Sequence, residues 1–158
     1  GGHSVYIQFP GSEMSSHMSV FDPRLYKKAH RHGPGRVIVI PAGDGYSILW
    51  EEGKEKIVVP WQEASAFVPP NRWFHQHFNV GGARARYLAL HPPTQFHGYT
   101  DESVGDLSND QIEYADEDPW IREKFEEELN QRVLTSLMPE EAYKNRDYQW
   151  DYRAAASE

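Results

Sequence analysis

The sequence predicts an all-β domain, a sandwich or barrel, followed by a single amphipathic helix. Three observations carry this reading. Short β-rich runs alternate with turn residues from the start of the chain to about residue 91. The stretch 94–117 is polar and without period, and reads as a long surface connection. After Asp118-Pro119, Ile121, Phe125, Leu129 and Val133 then recur every four residues.

Taken in order, Val5–Phe9 ends at Pro10-Gly11, and Met18–Phe21 ends at Asp22-Pro23. Arg36–Ile40 is β-branched and stops at Pro41-Ala42-Gly43-Asp44-Gly45. Tyr46–Trp50 and Lys56–Val59 flank Glu51-Glu52-Gly53-Lys54, a hairpin by composition. Ala66–Val68 runs into Pro69-Pro70, and a strand around His75 turns at Gly81-Gly82 into Arg86–Leu90. Asp118 is an N-cap with proline at the first helical position, giving a helix over about 118–133. Its off-stripe positions are Glu123, Glu126, Glu127 and Arg132, so it covers a sheet face or a partner subunit. The aromatic tail 143–150 is expected to dock, and 154–158 to fray. Residues 1–93 form the barrel and 94–158 the extension.

Composition excludes several classes. Sixteen Lys and Arg against 24 Asp and Glu give a formal charge of −8, which disfavours nucleic acid and anionic membranes. No cysteine is present, so disulfides, thiolate ligands and thiol nucleophiles are excluded. No apolar run approaches the ~18 residues of a membrane span and no signal-peptide pattern opens the chain, so a cytoplasmic protein is expected. Gly1-Gly2-His3 lacks an initiator methionine.

The chemistry concentrates in two histidine clusters, His30-Arg31-His32 and His75-Gln76-His77. In a strand, residues i and i+2 share a face, so each H-x-H pair directs two imidazoles into one space. Imidazole is the commonest side-chain ligand of transition metals. His30, His32 and His75 are therefore candidate metal ligands. His77 remains open between a fourth ligand, an acid–base group beside the metal and a structural histidine. Gln76 falls on the opposite face and Asn79 closes the strand against its own turn. Tyr46, Ile48 and Trp50 share one strand face, and Trp73 and Phe74 precede the third ligand. Tyr46, Trp50 and Trp73 are the expected substrate-lining residues. Glu63, Glu113 and Glu117 lack a position that would make them ligands.

These residues resemble the two motifs of the cupins, G-x5-H-x-H-x(3,4)-E-x6-G and G-x5-P-x-G-x2-H-x3-N. The first falls on His30, His32, Arg36 at the glutamate position, and Gly43. The second falls on Ala64 for the leading glycine, Pro70, Arg72 for the second glycine, His75 and Asn79. The resemblance spans roughly residues 16–92, and implies a cupin jelly-roll β-barrel (a double-stranded β-helix). With Arg36 in the glutamate slot the carboxylate ligand is gone. An inward guanidinium there would suit a substrate carboxylate, phosphate or enolate.

Three neutral imidazoles leave coordination positions open, as catalytic sites do. The site is similar to the three-histidine iron centres of cupin dioxygenases. The expected function is thus a non-haem Fe(II) oxygenase acting on a small organic acid or aromatic compound, with Mn, Ni, Cu or Zn as other ions. Catalytic roles fall to His77 and Arg36, and the expected partners are an anionic small molecule and a second copy of the chain. The alternatives are a lyase, decarboxylase or isomerase using the ion as a Lewis acid, and a non-enzymatic small-molecule-binding cupin or one half of a two-cupin protein.

Overall fold

In a computed structural model, residues 2–33, 36–92 and 110–150 are described. The strands are β1 (His3–Gln8), β2 (Ser15–Phe21), β3 (Ala29–His30), β4 (Val37–Ala42), β5 (Asp44–Trp50), β6 (Ile57–Gln62), β7 (Ala66–Phe67), β8 (Phe74–Asn79), β9 (Ala85–His91) and β10 (Gln111–Ile112). They form two five-stranded sheets, ordered β1-β2-β9-β4-β7 and β10-β3-β8-β5-β6. Every pairing is antiparallel.

Strand parity splits the interior into two layers. Between the sheets, Phe21, Ile38, Ile40, Trp61, Ala85, Tyr87 and Ala89 form an apolar cluster. The Trp61 indole lies on Gly45, where a Cβ would stand 2.6 Å from that ring and 2.0 Å from the Phe78 carbonyl oxygen. No other residue fits there. Behind the second sheet a larger cluster joins Tyr26, Tyr46, Ile48, Trp50, Phe74 and Phe78 to Ile121, Phe125 and Leu129 of the helix α1 (Pro119–Gln131). Each large apolar side chain buried this way is worth ~1.5–3 kcal/mol. The helix therefore covers a sheet face, as the stripe implied. Tyr148 and Trp150 of the tail pack against the same cluster; residues 154–158 lie outside the described residues.

The helix begins as expected, with the Asp118 carboxylate accepting from the Trp120 amide at 3.0 Å. It ends earlier than 133. Val133 takes φ 58° and is 94% exposed, so it leaves the apolar stripe. The Leu134 amide donates to Leu129 O and the Val133 amide to Asn130 O, closing the helix with the pattern of a Schellman cap. A β-branched residue in the left-handed region costs about 1–2 kcal/mol. Val133→Gly is therefore expected to stabilise the protein by about 1 kcal/mol, read as a raised urea midpoint at unchanged slope.

Of the expected connection 94–117, residues 94–109 lie outside the described residues. The rest is structured: β10 pairs with β3, and a 3-10 turn spans Tyr114–Asp116. Asp110, 6% exposed, bonds Arg31 Nε at 2.9 Å and Arg72 Nη2 at 3.0 Å. Glu117 is held against the back of β8 by the Tyr26 hydroxyl and by Gln76 Nε2 at 3.0 Å.

Burial pushes the Glu117 carboxyl from its ordinary 4.5 up to about 7 against these two donors. A folded pKa above the unfolded one makes stability greatest below about pH 4.5 and lost as pH rises through 7. The loss is expected to reach at most about 3 kcal/mol, from the shift at 1.36 kcal/mol per unit. In Glu117→Gln that slope should vanish. Equal pH dependence of unfolding in parent and variant would refute the assignment.

Candidate metal centre

His30, His32 and His75 come together between the sheets, with candidate ligand nitrogens within 4.8 Å of one another. β3 and β8 are hydrogen-bonded neighbours, and His30 pairs in register with His75. His32 lies just beyond β3 rather than on it, so the first H-x-H pair is only half on a strand. It is brought in by the Arg72 amide, which donates to the His32 carbonyl at 3.1 Å.

Two ligand rings are oriented by backbone carbonyls. His30 Nδ1 donates to Lys28 O at 3.2 Å, and His75 Nδ1 donates to Trp73 O at 3.1 Å. Each leaves its Nε2 as a lone pair, the arrangement common to metal-bound imidazoles. His32 Nε2 stands 3.1 Å from His75 Nε2. Metal–nitrogen bonds of ~2.0–2.1 Å put adjacent ligands about 3.0 Å apart at right angles and about 3.4 Å apart in a tetrahedron. The spacing fits a shared cation. Burial is the main cause holding His30 down to about 4, His32 to about 2 and His75 well below 6.5, so all three are neutral.

His77 is outside the cluster. Its Nδ1 lies 2.7 Å from Ser47 Oγ, which also accepts from Trp61 Nε1 at 3.0 Å. Ser47 thus ties the His77 ring to the Trp61 indole in a buried hydrogen-bond chain. Ser47 and Trp61 escaped the sequence reading, because only the register of β5 with β8 sets Ser47 opposite His77.

Arg36 faces inward. With His30, His17, Tyr87, His91 and Tyr6 it bounds a cavity of about 190 Å³, and its Nε is buried without a partner among the described residues. Lys27 Nζ bonds only neutral groups here, Ser19 Oγ at 2.6 Å and Tyr87 Oη at 3.3 Å. Neither cation has a carboxylate partner among the described residues.

The expected lining residues are placed elsewhere. Tyr46 and Trp50 do share a strand face, but it is the back of β5; they stack on Phe78 and Phe74 under α1. Trp73 reaches the site through its carbonyl. Gln76 faces the back as expected, and Asn79 bonds the Gly81 amide at 3.0 Å and Ala83 O at 2.9 Å. His17 and His91 were missed; they lie 74 residues apart and belong to no motif.

No protein-family model matches the chain, and no curated protein matches it. Solved structures do. A deletion mutant of Bacillus subtilis oxalate decarboxylase aligns at 13% identity and TM-score 0.54, over 58% of this chain and 26% of that one. Oxalate oxidase in complex with glycolate aligns at 19% and 0.52, over 57% and 50%. Peruvianin-I, a cysteine peptidase from Thevetia peruviana latex, aligns at 16% and 0.52, over 57% and 60%. The chain thus spans less than two-thirds of each of these proteins. At such identities the likeness shows the fold alone, a two-sheet, cupin-like jelly roll, to which this chain adds α1 after its strands. The chain has no cysteine to carry the peptidase activity of the third. Among the described residues, no helix is long and apolar enough to cross a membrane.

Proposed function

We propose that the protein is a divalent-metal-dependent cupin enzyme acting on a small organic acid, with the ion as a Lewis acid in a decarboxylase-, lyase- or isomerase-type reaction. The observation that carries it is the buried guanidinium Nε of Arg36, without a partner among the described residues, in the cavity that His30 also bounds. An unpaired charge in a protein interior is costly, and a bound carboxylate offsets that cost. Oxalate decarboxylase and oxalate oxidase, named for one small acid, share the fold.

His30, His32 and His75 would hold the ion. When bound, a divalent cation polarises substrate oxygens and stabilises negative charge developing on them. Arg36 takes the carboxylate through its planar fork and orients it. His77, held by Ser47 on the strand that carries His75, is the candidate for moving a proton.

Oxygen-dependent chemistry on Fe(II), as in three-histidine cupin dioxygenases, is the second reading, favoured by a ligand cluster without a carboxylate. The test is turnover of a panel of two- to six-carbon acids by protein loaded with Mn(II), Zn(II) or Fe(II), under nitrogen and under air. Anaerobic turnover is expected. Turnover confined to iron in air would replace the Lewis-acid reading with the oxygenase. No turnover with any ion, alongside tight binding of an acid, would make this a binding protein.

A further inference from the structure

The inner face of the first sheet carries a second imidazole pair that the metal cluster does not use. His17 Nδ1 of β2 and His91 Nε2 of β9 lie 3.1 Å apart, and His91 Nδ1 lies 3.0 Å from the Pro92 carbonyl oxygen. A carbonyl oxygen only accepts, so His91 carries its hydrogen on Nδ1. The Nε2 of that neutral ring is then a lone pair, and His17 Nδ1 must be the donor between the two rings. This leaves Nε2 of neutral His17 as an acceptor. Neutrality is enforced: burial first, then the Arg36 charge, holds His17 down to about 3, and burial likewise lowers His91.

The cavity these rings share with Arg36 thus sets a cationic fork and a fixed acceptor beside the hydroxyl-bearing side chains of Ser4, Tyr6 and Tyr87. Its volume of about 190 Å³ corresponds to on the order of six waters at their liquid share, enough for an acid of about that many heavy atoms. An acid with no donor beside its carboxylate would leave the His17 acceptor unpaired, which costs binding. An amino acid could supply a donor, but its ammonium would meet the field of Arg36 and Lys27.

We propose that this cavity recognises short hydroxycarboxylates, with Arg36 binding the carboxylate and His17 Nε2 accepting the hydroxyl hydrogen. His91 and the Pro92 carbonyl are positioning groups that keep His17 in its acceptor tautomer. The proposal rests on the organic-acid reading above and sharpens it to a substrate class.

The test is calorimetric titration of the full chain with lactate, propionate and alanine, both zinc-loaded and after chelation. Lactate is expected to bind about tenfold more tightly than propionate in both states, and alanine more weakly than either. His17→Phe should abolish the preference, bringing lactate and propionate to similar affinity with propionate bound no more weakly than by the parent, and retained propionate binding shows an intact pocket. His17→Gln, with Oε1 near the place of Nε2, should keep part of the preference. If His17→Phe does not fold, His91→Leu should show the same selective loss. Arg36→Ala should weaken both acids more than tenfold. Equal binding of lactate and propionate by the parent would overturn the hydroxyl assignment and leave the organic-acid reading standing. A lactate preference seen only with zinc, and surviving His17→Phe, would assign the hydroxyl to the metal and overturn it too. Failure of both acids to bind would overturn both readings.

Discussion

Replacing His75 with alanine is expected to abolish stoichiometric divalent-metal binding, with affinity falling by more than about 100-fold. Loss of a mere hydrogen-bond partner of a metal ligand typically costs 10- to 100-fold, and His75 would be a ligand itself. It is also the ring that His30 and His32 both meet, at centroid distances of 4.4 and 4.7 Å. His30→Ala and His32→Ala should behave alike. His77→Gln should retain the metal, because that ring is committed to Ser47 and lies outside the cluster. Two measurements check this. Metal content after dialysis should be near one ion per chain in the parent and His77→Gln, and near zero in the three alanine variants. Saturating metal at about 100 times Kd should add about 2.7 kcal/mol to the stability of the parent only. Stoichiometric metal in all three alanine variants would place the site elsewhere.

Asp110→Asn is expected to cost about 2–3 kcal/mol and to weaken metal binding about tenfold, although the hydrogen bonds of its carboxylate go to Arg31 and Arg72. Its carboxylate holds Arg31, which lies between two ligands, and Arg72, whose amide holds the His32 carbonyl. Removing one partner of a buried ion pair typically costs 3–5 kcal/mol. The figure here is smaller because Arg31 keeps Glu52, and because the Arg72 side chain is 49% exposed and screened. Urea unfolding of metal-free protein gives the first number and a metal titration the second. A destabilised variant with parental metal affinity would reduce Asp110 to a structural role. Parental stability would remove the network from consideration altogether.

The histidine motifs were legible because their information is local: i, i+2 spacing within a strand decides which rings share a face. What that spacing leaves open is which face looks inward. Tyr46 and Trp50 share a face of β5, as parity requires, but the register of β5 against β8 turns it toward α1. The same register sets Ser47 against His77. Asp110 was illegible for another reason, since it stands in a polar stretch and its partners lie 79 and 38 residues away. The His17–His91 pair likewise exists only once β2 lies beside β9. The early end of the helix follows from a left-handed Val133, which an apolar period of four cannot reveal.

All six residues of β8, His75 and His77 among them, are buried, whereas every residue of β1 is exposed. In a sheet with one wet face, tolerance to substitution alternates along each strand. Along β8 it should not: a saturation scan should find six successive intolerant positions, three facing between the sheets and three facing the cluster under α1. The barrel and its helical extension are consequently not separable modules. A domain swap cut at residue 93 would carry away the metal strand but leave behind the surface that keeps its back dry.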